Sequence, residues 1–171
     1  MDFWIVAIDH GLQLQRVATD STKTKAQKDQ LEALLEAEIF RHQVRFIGEE
    51  SKQGAVTITS ALADAADPKI PWKNIDMTGP ERDAAGIAEA LKHRPGHPDS
   101  DTMQTWIESR IPEDEIREDF FISQTLRYAG DAQSILMLLG DMHVDSVAEK
   151  LRKLGHRVST NHDLFPIRRW E

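Results

Sequence analysis

Two unbroken apolar runs constrain this chain most: Phe3-Trp4-Ile5-Val6-Ala7-Ile8 near the start and Ile135-Leu136-Met137-Leu138-Leu139 near the end. Neither alternates apolar with polar residues, so neither suits a strand with one wet face. Short continuous runs of this kind suit strands covered on both sides. Between them, helix-periodic segments alternate with short apolar stretches. That is the pattern of an α/β domain with a mostly parallel central sheet flanked by helices.

The two runs end almost alike, in Ala7-Ile8-Asp9-His10 and Gly140-Asp141-Met142-His143. In a parallel sheet, ligands gather in the crevice beyond the carboxyl ends of the strands. A histidine with a carboxylate within two residues, placed there twice, marks a candidate site.

At 171 residues the chain fits one α/β domain over 1–171 with a core of its own. Its net charge of −8 argues against broad attraction to nucleic-acid backbones. With no cysteine there is no disulfide, thiol nucleophile or cysteine metal site. No apolar run approaches the roughly 20 residues of a membrane span, and Met1-Asp2-Phe3 lacks a basic signal-peptide start. A cytoplasmic protein without a membrane partner is expected; the oligomeric state is left open.

Along the chain, a polar stretch over 11–24 precedes a helix expected over 25–42, where Leu31, Leu34, Leu35 and Ile39 recur at helical spacing. A second strand is expected over 44–48, with Glu49 and Glu50 at its carboxyl end, then a helix over 55–65 and a weaker strand over 72–77. Pro80 opens a helix over 81–92. The segment His93-Arg94-Pro95-Gly96-His97-Pro98 breaks the pattern, because two prolines and a glycine cannot continue a helix. Helices over 101–109 and 112–129 follow, then the second apolar run, a helix over 144–154 ended by Gly155, and a short strand over 156–159.

Two imidazoles and several carboxylates converging on one crevice can do either of two jobs. His10, Glu49, Glu50, Asp141 and His143 can hold a divalent metal such as Zn²⁺, Mn²⁺ or Co²⁺, whose bound water becomes the nucleophile. Alternatively one histidine takes a proton from water while a carboxylate such as Glu50 orients it. In both versions Arg117 serves as a clamp for a carboxylate, a phosphate or developing negative charge. Asp76, at the end of the third strand, is a possible further site carboxylate.

The order of motifs carries a resemblance. A strand ending in Ala7-x-x-His10, a strand ending in Gly48-Glu49-Glu50, a helix opening Arg117-Glu118-Asp119 and a strand ending in Gly140-x-x-His143 follow one another. This resembles the superfamily of the Tiki proteases, the TraB-like proteins, the erythromycin esterases and the ChaN-like haem-binding proteins. Ala7 stands where those families carry glycine, and Ser51 where some carry histidine. The resemblance implies a Tiki/erythromycin-esterase-like fold and a small bacterial hydrolase, with or without a divalent metal. Its catalytic residues would be His10, His143, Glu50 and Arg117. It would cleave an ester, amide or phosphoester bond in a small-molecule or peptide substrate, an anionic one if Arg117 clamps it. Two alternatives stand beside it: a non-catalytic module binding haem, a metabolite or a protein, and a component of a bacterial operon whose crevice is vestigial.

Overall fold

The computed structural model describes residues 1–15, 17–87 and 100–162, the side chains of 100–107 and 109 apart. The described elements are β1 (Asp2–Ile8), α1 (His10–Gln13), α2 (Thr22–Arg41), β2 (Phe46–Glu49), α3 (Ile58–Ala65) and β3 (Trp72–Asn74). They continue with α4 (Gly79–Ala84), α5 (Ser100–Ala129), β4 (Ser134–Gly140), α6 (Asp141–Lys153) and β5 (Arg157–Asn161). Among the described residues, five strands form one all-parallel sheet in the order β3-β2-β4-β1-β5.

The two apolar runs are its central neighbours, β1 and β4, paired from Asp2–Ser134 to Ile8–Gly140. Their alternate residues feed two cores. Phe3, Ile5, Ala7, Ile135, Met137 and Leu139 meet α5 and α6 through Phe121, Ile122, Val144, Val147 and Leu151. Val6, Ile8, Leu136 and Leu138 meet α2 and α3 through Leu31, Leu35, Ile58 and Ala63. Burial on both faces is the physical reason these strands carry no polar alternation.

The chain steps from β1 to β2 to β3 with α2 and α3 on one face. It then returns to β4 and steps outward to β5 with α5 and α6 on the other. The connections leaving the adjacent strands β1 and β4 therefore depart toward opposite faces. A crevice opens between them at their carboxyl ends, as at the switch point of doubly wound sheets.

Several boundaries differ from the sequence expectation. The stretch after β1 contains a one-turn helix, α1, because the Asp9 side chain caps it by accepting from the Gly11 N–H. The helices expected over 101–109 and 112–129 are one helix, α5, with Pro112 inside it. Pro112 removes one backbone donor, yet the packed face from Phe121 to Ala129 fixes the helix on the sheet. Arg117 is therefore in mid-helix and not at a helix start. The helix expected over 81–92 is the shorter α4, which ends at Ala84 with Ala85 as its cap and Gly86 at a φ of 74°. The His93–Pro98 segment with its histidines lies outside the described residues, as do Arg168, Arg169 and Trp170. Among the described residues no helix is long and apolar enough to cross a membrane.

Gly48 sets the height of α5 over the sheet. A Cβ at this position would stand 3.0 Å from Thr125 Oγ1 and 3.2 Å from Ile75. Its absence lets α5 lie close above β2, and two turns earlier on the same helix Arg117 reaches the end of that strand.

Candidate functional site

The carboxyl ends of β1, β2 and β4 meet at one side chain, Glu50. Strand alternation turns Glu50 toward α5 and α6 and turns Glu49 toward α3. The Glu50 carboxylate is buried and fully engaged: Oε1 accepts from Arg117 Nη2 at 2.7 Å, and Oε2 accepts from the Gly140 N–H at 2.8 Å. His10 Nε2 and His143 Nε2 approach the same Oε1 to 3.6 and 3.8 Å. The two histidines expected beyond the carboxyl ends of the strands thus share one carboxylate. Burial by itself would raise the Glu50 carboxyl. His143 and His10 when protonated, Arg117 at all times and the Gly140 N–H outweigh it and hold the group below the usual carboxylate range.

Arg117 is buried between carboxylates. Besides Glu50, its Nη2 donates to both oxygens of Asp76 at 3.2 and 3.3 Å, and Arg82 contacts Asp76 from the far side. Arg117 Nη1 stands 3.4 Å from His143 Nε2. A guanidinium has only hydrogens to offer, so this contact needs a lone pair on Nε2 and places the His143 proton on Nδ1. There it donates to Glu118 at 3.1 Å. Glu118 is held in turn by Ser146 Oγ at 2.5 Å and Lys150 Nζ at 3.2 Å; His143, Ser146 and Lys150 recur on one face of α6. Phe121 packs edge-on to the His143 ring and beneath the guanidinium.

His10 differs in being reachable. Its side chain is 52% exposed, against 5–7% for Glu50, Arg117 and His143. It lines a cleft of about 1400 Å³ together with Glu50, Arg82, Arg110, Arg117 and His143. The glycine of the Gly140-x-x-His143 motif is explained here, because a Cβ on Gly140 would stand 2.8 Å from His10 Nε2. Gly140→Ala is expected to keep the fold, since its closest contact is the tip of a side chain, and to displace the His10 ring from Glu50. A crystal structure or His10 NMR resonances unchanged by the substitution would remove this account of the glycine.

Glu49 does not join the cluster. Its carboxylate accepts from Thr57 Oγ1 and Trp72 Nε1 at 2.7 Å each, from Gln13 Nε2 at 3.1 Å and from Thr59 Oγ1 at 3.2 Å. Burial pushes its carboxyl above the usual range against the pull of these donors. Asp141 is exposed on the cleft rim and pairs with His162 Nδ1 at 2.9 Å; that contact and Asp145 raise the His162 ring's affinity for a proton above the ordinary value. Among the described residues no three His, Asp or Glu side chains are grouped to hold a metal ion. Glu50 has both oxygens engaged, and the Arg117 cation stands against His143 Nε2, where an ion sharing these ligands would lie. In this arrangement the donor set does not fit a metal.

No protein-family model matches the chain, and no curated protein or solved structure matches it significantly.

The site contains groups that sequence reasoning did not assign. Gln13 and Arg82 fell in stretches with no motif, and Gln13 gains its place only because α1 sets it one turn from His10. Glu118 was visible as the neighbour of Arg117, but nothing in the spacing tied it to His143, 25 residues on.

Proposed function

We propose that the cleft is the site of a small hydrolase that activates water between His10 and Glu50. The substrate bond is an ester, amide or phosphoester. The observation that carries the reading is the half-exposed His10 ring, whose Nε2 faces a buried carboxylate that is held ionised by Arg117 and the Gly140 N–H. A water bridging the two gives one proton to Nε2 and is oriented by Glu50. Its oxygen forms the new bond to carbon or phosphorus as the leaving-group bond breaks, and the proton on Nε2 passes to the leaving group. Arg117 and His143 position Glu50. In this arrangement Arg117 Nη2 is already engaged by Glu50 and Asp76, so any charge it offers a substrate acts through the carboxylate it holds. The motif order shared with the Tiki and erythromycin-esterase superfamily supports the same reading.

The test is turnover of a panel of p-nitrophenyl acetate, p-nitroanilide and p-nitrophenyl phosphate substrates, with and without EDTA. We expect activity that survives chelation and falls by about 10²–10⁴-fold in His10→Ala, the usual contribution of a general base. Activity lost on chelation would restore the metal-dependent version. Equal activity in His10→Ala would end the reading, and a ligand bound without turnover would establish the binding module in its place.

A further inference from the structure

We infer that Gln13, anchored by Glu49 from the opposite face of the sheet, is the positioning residue that fixes the His10 proton on Nδ1 and leaves the Nε2 lone pair facing the cleft. The inference deepens the hydrolase reading and rests on it for its catalytic meaning, while its structural content stands alone.

The argument begins with the Gln13 amide, which is 3% exposed. One end of it lies 3.1 Å from Glu49 Oε1 and 2.7 Å from the Glu50 backbone carbonyl. The Glu50 backbone carbonyl only accepts, so this end is the NH₂, with one hydrogen on that carbonyl and the other toward Glu49. The reversed amide would set an oxygen against two oxygens in a buried site. The amide oxygen therefore faces His10 Nδ1, 2.7 Å away. An amide oxygen only accepts, so Nδ1 carries the hydrogen. In the neutral ring Nε2 is then bare, with Glu50 Oε1 at 3.6 Å.

Each part of this arrangement has a local cause. The Asp9 cap starts α1 directly after β1, so positions 10 and 13 fall on one helical face. Glu49 is held by Thr57, Thr59 and Trp72 from α3, its cap and β3, so the anchor for Gln13 is rigid and buried. The carboxylate that sequence spacing assigned to the cleft thus acts on it through an amide, across the thickness of the sheet. His143 completes the contrast: it also carries its proton on Nδ1, but its Nε2 is covered by Arg117 and it is buried. Of the two imidazoles, only His10 presents a lone pair to the cleft.

The experiment is long-range ¹H–¹⁵N correlation of the histidine rings in the intact protein, at a pH alkaline enough to leave the rings neutral and with no substrate present. Pyrrole-type and pyridine-type ring nitrogens are distinguished directly. We expect wild-type His10 to show a pyrrole-type Nδ1 and a pyridine-type Nε2. Gln13→Leu, checked for an intact fold by the unchanged His143 pattern, is expected to lose this preference, and Glu49→Gln to weaken it by freeing the amide. A wild-type ring with its proton on Nε2 overturns the inference, as does a Gln13→Leu ring that keeps the proton on Nδ1. The expected tautomer in a protein that turns over no substrate would instead leave Gln13 in place and remove the hydrolase reading.

Discussion

Arg117→Ala is expected to lower the free energy of unfolding by about 3–5 kcal/mol, the cost of removing one partner from a buried ion cluster. The size follows from what the substitution leaves behind. Glu50 and Asp76 stay buried, each having lost a charged donor, and His143 Nε2 loses the N–H it faces. Arg117→Lys keeps the charge but cannot reproduce a fork that reaches Glu50, Asp76 and His143 at once, so it should fall between alanine and wild type. The measurement is the urea midpoint of the three proteins, with Arg157→Ala as the control. Arg157 pairs with Asp2 on the surface, its side chain 85% exposed, and its loss should scarcely move the midpoint. Equal midpoints for Arg117→Ala and wild type would show that the cluster does not hold the crevice together.

Acid should undo the same cluster. Glu50 and Glu118 both have carboxyls held below the usual range, against burial that would raise them: Glu50 by the histidines, Arg117 and Gly140, and Glu118 by His143, Ser146 and Lys150. A carboxyl depressed in the folded state contributes stability that is complete above its unfolded value, about 4.3 for glutamate. That stability is lost as pH falls through the folded value. Glu49 has the opposite sign, since its raised carboxyl favours the fold at low pH and loses that contribution as pH rises through the folded value. Thermal melts from pH 7 to pH 3 are therefore expected to show a fall in melting temperature on the acid side in wild type. The fall should be shallower in Glu50→Gln, which starts lower at neutral pH because Arg117 has lost one of its buried carboxylates. Parallel curves for the two proteins would mean that Glu50 titrates as it does in the unfolded chain.

The sequence by itself determined the layer plan. Phe3–Ile8 and Ile135–Leu139 read as doubly covered strands, because unbroken apolar runs of five or six residues suit a strand buried on both faces and are short for a buried helix. It also placed His10, Glu50 and His143 just beyond strand ends, since each lies within a few residues of the close of an apolar stretch. Tertiary structure alone decided which of these groups share a site. Period-two alternation makes Glu49 and Glu50 face opposite sides, but only the positions of α3 and α5 say which side holds the crevice. Arg117 was legible as part of a motif, yet its partners are fixed by the height of α5 above Gly48, a contact between residues far apart in the chain. Gln13 was invisible in a polar stretch until the Asp9 cap turned it onto the His10 face. Periodicity records how much of each residue is buried, because burial is a property of one element against solvent. Hydrogen-bond partnership is a property of two elements against each other, and only the packed fold brings those two together.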